Sequence, residues 1–293
     1  MARARRRRST KGRHLPFDLP AGARILREEG PGPFTTHVLY ELADGRRREW
    51  SSRRHRKRRG AGGAYWAPGR LGWWIAALFA VGSFCFILGS VPGYASLVGF
   101  RPDAMTYFIG SIFFTSASYL QFVECISAPS DGSGHRRWFA VQPTRIDWWA
   151  TAIQLVGTVF FNFTTFDAFA QGLPTKAEDL VVWTPDALGS ICFLVSGSIA
   201  YATSRRRGWL PERGERGWWM PAVNLLGCIF FGISAVAGFL VPASGSILDL
   251  AAANWNTALG AACFLACALA GLRADRPIEV MRTPAPGPTL RQP

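Results

Sequence analysis

Six stretches of this chain are apolar for so long that lipid, rather than a protein core, is the solvent they call for: 73–91, 104–128, 148–170, 186–203, 218–241 and 254–272. About 20 mostly apolar residues wound as a helix cover the roughly 30 Å of hydrocarbon in a bilayer. No water is present there to take up backbone N–H and C=O groups, so separate segments cross as helices. Pro92-Gly93, Pro129, Pro174, Pro185 and Pro242 stand at or beyond the ends of these stretches, where a break in helical hydrogen bonding is tolerated. The expectation is an all-α membrane protein with six transmembrane helices.

Charge is segregated in the same way. The net charge is +14, and residues 1–72 carry 19 Lys/Arg against 6 Asp/Glu. If the six stretches span, the N-terminal tail, the loops 129–147 and 204–217 and the C-terminal tail share one side and hold 31 of the 33 Lys/Arg. Only Arg101 and Lys176 fall on the other side. Basic loops stay in the cytoplasm, so both termini are expected there. Trp73-Trp74, Trp148-Trp149 and Trp218-Trp219 would sit at the cytoplasmic headgroups, with Trp183 and Trp255 at the outer ones. The start, Met1-Ala2-Arg3-Ala4-Arg5, has the charge of a signal peptide but no apolar core behind it, so no cleavable signal is expected. Only three of the basic residues are lysine, a bias that points to a GC-rich bacterial genome and hence to a bacterial plasma membrane.

An internal repeat runs through the spans. Each Trp-Trp pair is followed at fixed offsets by Gly and Phe: Gly82 and Phe86, Gly157 and Phe161, Gly227 and Phe231. The intervening spans carry Gly110 and Phe114, Gly189 and Phe193, Gly260 and Phe264. Three tandem two-helix hairpins, 71–128, 146–203 and 216–273, account for the pattern, and two crossings each make the repeats parallel. Small residues let helices approach in lipid, so Gly opens a groove and Phe one turn on fills a neighbour's. At 1.5 Å per residue Gly82, Gly157 and Gly227 sit about 14 Å from the tryptophans, near mid-bilayer.

Leu78-Phe79-Ala80-Val81-Gly82-Ser83-Phe84-Cys85-Phe86, with Phe108-Ile109-Gly110-Ser111-Ile112-Phe113-Phe114 and Tyr119-Leu120-Gln121, resembles the YrhK-like membrane domain of bacteria. The resemblance covers about residues 70–128, and the later hairpins look like diverged copies. It implies a membrane hairpin module and supplies no activity, cofactor or site residue.

Polar groups inside a bilayer are costly and are the first candidates for function. Glu124 and Asp167 lie toward span ends, about 30 Å and 28 Å along their helices from one boundary. Gln154, Thr158, Asn162 and Thr165 follow one face of the third span, and Asn224 holds in the fifth the position of Gln154 in the third. A hydrogen bond between those two amides is expected, with the stripe toward the bundle axis; interhelical glue is favoured over a solute path through Gln154, Thr158, Asn162, Asp167 and Asn224.

Classical chemistry is missing. His14, His37, His55 and His135 all lie outside the spans, which removes intramembrane haem ligation, and the six cysteines show no metal or redox spacing. No nucleophile elbow or phosphate loop is present, so no catalytic residue, metal or cofactor is expected.

The first 70 residues read as a basic cytoplasmic tail, partly disordered, with a small β-hairpin near 36–52 around Asp44-Gly45. A short tail, 274–293, follows the six-helix domain 71–273. Arg53, Arg54, Arg56, Lys57, Arg58 and Arg59 lie close to the first span, where anionic headgroups attract basic side chains. Expected partners are therefore the bilayer, its anionic lipids, and a protein partner or second copy; nucleic acid is disfavoured for want of a recognised module. Two function classes stand: a structural, regulatory or lipid- or partner-interacting membrane protein, and, as the alternative, a channel or secondary transporter for a small solute or ion.

Overall fold

The structure is a computed structural model and describes residues 15, 19–30, 33–51, 65–127, 138–168, 182–204, 219–241 and 246–272. Arg53, Arg54, Arg56, Lys57, Arg58, Arg59, Trp218 and the tail 274–293 lie outside the described residues.

Near the N-terminus, β1 (Arg24–Glu29), β2 (His37–Glu41) and β3 (Arg47–Ser51) form an antiparallel sheet in that order. β2 and β3 join through a tight turn in which Leu42 N–H donates to Arg46 O at 2.9 Å and Gly45 takes φ +79°, a backbone that glycine adopts without a Cβ clash. Val38 is fully enclosed, with Leu15, Leu19, Ile25, Tyr40 and Trp50 around it. Strand β1 extends the sheet beyond the two strands expected from sequence: Ile25 joins this cluster, and a register shift between Ile25 and Arg27 re-aims the strand.

In the turn, the Arg46 guanidinium bonds Asp44 through Nε at 2.6 Å and the Arg46 N–H at 3.0 Å, which holds the Asp44 carboxyl below its usual range. A depressed folded-state pKa stabilises above the unfolded value and is lost as pH falls through the folded one. The pair is exposed, so the effect is local. The Arg46 amide shift is expected to titrate below the ordinary aspartate range, and Asp44→Asn to abolish that titration.

Among the described residues seven helices follow: α1 (Leu71–Ser90), α2 (Tyr94–Val98), α3 (Phe100–Ser127), α4 (Ile146–Asp167), α5 (Thr184–Thr203), α6 (Trp219–Ala237) and α7 (Leu250–Leu272). Between α6 and α7, β4 (Leu240–Val241) pairs with β5 (Ser246–Ile247). The six long helices pack in a closed ring in chain order, α1 against α3, then α4, α5, α6, α7 and back to α1.

The starts of α1 and α4 are built alike. Their N-caps, Arg70 and Arg145, are both extended and make no side-chain cap. Tryptophans staple the entering chain instead. Trp73 and Trp148 indoles donate to carbonyls eight residues back, Tyr65 at 2.8 Å and Ala140 at 2.9 Å. Trp74 and Trp149 donate to carbonyls six residues back, Pro68 and Pro143. Within each pair the rings meet edge to face at 5.1 and 4.9 Å.

The bundle buries small polar side chains and exposes large apolar ones. Ser83, Ser111, Ser118, Thr151, Thr158 and Ser190 are enclosed, while Phe84, Ile109, Ile112, Val156, Phe163, Ile191, Ile229, Ile233 and Leu259 face outward. Water would penalise that arrangement and lipid would not. Among the described residues five helices, α1, α3, α5, α6 and α7, are long and apolar enough to cross a membrane. The chain is a multi-pass, mostly helical membrane protein. Helix α4 has the length, 22 residues, but falls short of that apolarity: Asp147, Gln154, Asn162, Asp167 and four threonines dilute its apolar face.

The helix pairs α1·α3, α4·α5 and α6·α7 share one contact. A Cβ on Gly82 would stand 2.6 Å from the Phe114 ring and 2.9 Å from Gly110 O; one on Gly110 would stand 3.0 Å from Phe86. Gly157 meets Phe193 and Gly189 O at 2.9 and 3.1 Å, and Gly189 meets Phe161 at 3.1 Å. Gly227 meets Phe264 and Gly260 O at 2.9 and 3.0 Å, and Gly260 meets Phe231 at 2.6 Å. In each pair the two backbones touch, and each ring lies over the opposite glycine.

Candidate functional site

The six rings that these glycines admit converge. Phe86, Phe114, Phe161, Phe193, Phe231 and Phe264 form one buried cluster. Phe231 sits at its hub, with ring centroids 6.0, 5.8, 6.3 and 5.4 Å from Phe86, Phe161, Phe193 and Phe264. Phe114 closes the circuit to Phe86 at 5.4 Å and to Phe264 at 5.9 Å. The middle of the ring is therefore filled by aromatic side chains.

On the side of this plug that carries the starts of α1, α4 and α6, a cavity of about 490 Å³ remains. Phe114, Phe193, Phe264 and Cys228 form its floor. Helical rise orders the walls. About 5 Å above the floor come Phe79, Gln154, Asn224, Ser196 and Cys267; about 10 Å above come Ala76, Thr151, Pro221, Gln121, Ala200 and Gly271. The rim, about 15–20 Å up, is Glu124, Thr203, Asp147 and, highest, Arg70. Helices α3, α4 and α5 supply most of the polar wall, and α7 with the start of α1 the apolar one. Where α7 meets α1, a Cβ on Gly271 would come within 3.3 Å of Ala76.

The deep polar groups are only partly engaged. Ser196 Oγ donates to Ala150 O at 2.8 Å and lies 3.4 Å from Gln154 Oε1. Asn224 Nδ2 reaches Cys228 Sγ at 3.9 Å, a weak bond. No described residue engages Gln154 Nε2 or Asn224 Oδ1. At the rim, Arg145 is saturated: Nη2 and Nε hold Asp147 at 2.6 and 3.2 Å, and Nη1 donates to Cys125 O at 3.1 Å and Gln142 Oε1 at 2.7 Å. Both members of this ion pair are 12% exposed. Arg70, its counterpart at the start of α1, has Gly72 where Arg145 has Asp147, and its Nη1 is buried with no partner among the described residues.

The residues nominated from sequence divide between the two halves of the bundle. Gln154 and Asn224 face the cavity from different helices, and the hydrogen bond expected between them is not made: α5 lies between α4 and α6 in the ring, and each amide has another partner. The rest of the α4 stripe turns to α3. Thr158 is enclosed, Thr115 Oγ1 donates to Asn162 Oδ1 at 3.1 Å, and Thr165 shares a 2.9 Å hydrogen bond with Ser111. Asp167 ends α4 beyond the plug, away from the cavity. The five residues therefore line no common passage.

Arg70, Phe79, Gln121, Thr151 and the Arg145–Asp147 pair were not nominated from sequence. The offset between tryptophan pairs carried the signal for Phe79 and Thr151, since Phe79, Gln154 and Asn224, like Ala76, Thr151 and Pro221, recur at that spacing. Among the described residues no cluster of three His, Cys, Asp or Glu is placed to hold a metal. No protein-family model, no curated protein and no solved structure matches the chain.

Proposed function

We propose that this chain is a non-conducting, ligand- or partner-interacting protein of the bacterial plasma membrane, built from three tandem two-helix hairpins with six spans. It has no catalytic role. Both termini are cytoplasmic, so the cavity opens to the cytoplasm, and the basic residues of 53–59 serve as a contact for anionic headgroups. The YrhK-like resemblance fits a hairpin module of this kind.

The observation that carries the reading is the six-phenylalanine plug, which fills the middle of the ring and leaves a cavity at one end. The shared Gly–Phe contact of α1·α3, α4·α5 and α6·α7 supports triplication, as do cavity positions that recur at the offset between tryptophan pairs. A sixth span at α4 is supported by its length and its place between α3 and α5; its Gln154, Asn162 and Thr165 side chains meet Ser196, Thr115 and Ser111 of the neighbouring helices.

A one-sided cavity is also one state of an alternating-access transporter, and flux separates the readings. Purified protein in liposomes is expected to pass no small ion or solute above protein-free controls, with Asn162→Leu and Asp167→Asn giving the same result. Ala200→Cys, on the cavity wall, is expected to add a site for a membrane-impermeant maleimide from the cytoplasmic face alone. Flux through the parent that the two variants reduce would establish transport instead.

A further inference from the structure

We propose that the cavity binds a small aromatic monocarboxylate, its carboxylate on Arg70 and a hydrogen-bonding group at its far end on the Gln154–Asn224 amides. This rests on the one-sided cavity of the preceding reading and specifies what occupies it. The argument begins with the two arginines. Arg70 and Arg145 open α1 and α4 on nearly the same backbone, φ −107° ψ 129° and φ −108° ψ 123°. Arg145 spends its guanidinium on Asp147, Gln142 and a carbonyl. Arg70, with Gly72 in place of that aspartate, keeps a buried Nη1 that has no partner among the described residues, at the rim of the cavity. A buried N–H of a charged group with nothing to bond is costly, and a planar carboxylate matches a guanidinium in two hydrogen bonds.

The remaining features narrow the class. On the proposed six-span topology the cytoplasmic segments of the sequence hold 31 of the 33 Lys/Arg, a net charge that draws anions to that side of the membrane. Glu124 stands on the same rim, near enough to α1 that its Oε1 would lie 3.6 Å from a Cβ on Gly72. A ligand with a second negative charge meets that carboxylate, so a monocarboxylate is favoured over a phosphate monoester.

Nine residues along α1 from Arg70, Phe79 presents its ring to the cavity edge-on to Phe114, at 5.5 Å. This is a surface for a flat apolar body. At the same depth Gln154 offers an N–H donor and Asn224 a carbonyl acceptor that no described residue uses. The separation of the two levels, about 13 Å by helical rise less the reach of both side chains, is the length of one substituted ring with a short acid arm.

The test is equilibrium dialysis of the full chain in a non-ionic detergent against 3-(4-hydroxyphenyl)propionate. Saturable binding is expected, at least tenfold weaker in Arg70→Gln, which should melt as the parent does because no described residue bonds that nitrogen. Phenylpropionate, lacking the hydroxyl, is expected to bind several-fold more weakly to the parent and equally well to Gln154→Leu. Tyramine, with an ammonium in place of the carboxylate, is expected not to bind. Absence of saturable binding, unchanged affinity in Arg70→Gln, or equal binding of tyramine overturns the assignment. Should that happen while Ala200→Cys still labels from one face and flux stays absent, the ligand class alone is lost; labelling from both faces removes the cavity reading itself.

Discussion

Gly260→Leu is expected to leave almost no folded bundle, whereas Ala262→Leu, two residues on, should unfold with the parent. The positions differ in what surrounds them: Ala262 is exposed toward lipid, and Gly260 lies in the α6·α7 contact. A Cβ at 260 would stand 2.6 Å from Phe231 Cδ2 and 3.0 Å from the backbone oxygen of Gly227. A ring alone could rotate aside, but Phe231 is held by four other rings of the plug, and the carbonyl belongs to a helix that cannot move by itself. Extra methylenes in a packed core cost about 1–3 kcal/mol, so Gly260→Ala should show a loss of that order. Leucine adds three more carbons with nowhere to go. Far-ultraviolet circular dichroism during titration from mild detergent into sodium dodecyl sulfate reads the difference. If Gly260→Leu unfolds where the parent does, the helices do not touch at this point.

The same close contact explains which parts of the fold were legible in the sequence. A run of apolar residues long enough for a bilayer needs no tertiary information, so the six helices could be placed to within a few residues. The boundaries that moved did so for local reasons. Helix α3 begins at Phe100 rather than Ala104, because Pro102 sits in the first turn, where its missing N–H has no helical partner; Arg101 and Asp103 disguised that turn as loop. Helix α6 stops at Ala237 rather than continuing to Val241, because Gly238 follows and Leu240 and Val241 pair with Ile247 and Ser246. Strand β1 was missed because Arg24–Glu29 shows no clean apolar alternation, and only Val38 across the sheet gives Ile25 a reason to face inward.

The cavity is a different matter. Gln154 and Asn224 stood out as polar residues in apolar helices, but their common wall depends on the ring order of the helices, which no single-helix pattern encodes. Asn162, on the same helical stripe as Gln154, is spent on Thr115, a contact fixed by the neighbour. The clue at the rim was present but unread: an arginine just before each of two tryptophan pairs, one followed by Asp147 and the other by Gly72. Its meaning appears only when Asp147 is seen to neutralise the first arginine and no described residue bonds Nη1 of the second.

Phe231→Ala should be the most damaging single truncation in the plug, while Phe84→Ala on the lipid face should be close to neutral. In water a buried Phe→Ala change loses both transfer energy and packing. In a bilayer the transfer part largely vanishes, since the unfolded helices also lie in lipid and hydrocarbon is as apolar as a protein core. What survives is the cavity. At about 24 cal/mol per Å³, the roughly 100 Å³ vacated by a phenyl ring corresponds to about 2.4 kcal/mol if the neighbours do not collapse. Collapse is resisted here because Phe86, Phe161, Phe193 and Phe264 are each held over a glycine on an adjacent helix and cannot slide into the hub. Phe84 is 58% exposed and is absent from the plug, so its loss exchanges ring–lipid contact for lipid–lipid contact. The contrast between the two variants, read as the shift in unfolding midpoint on the same detergent titration, isolates packing from hydrophobicity. Equal shifts would mean that the six rings do not meet as a single cluster.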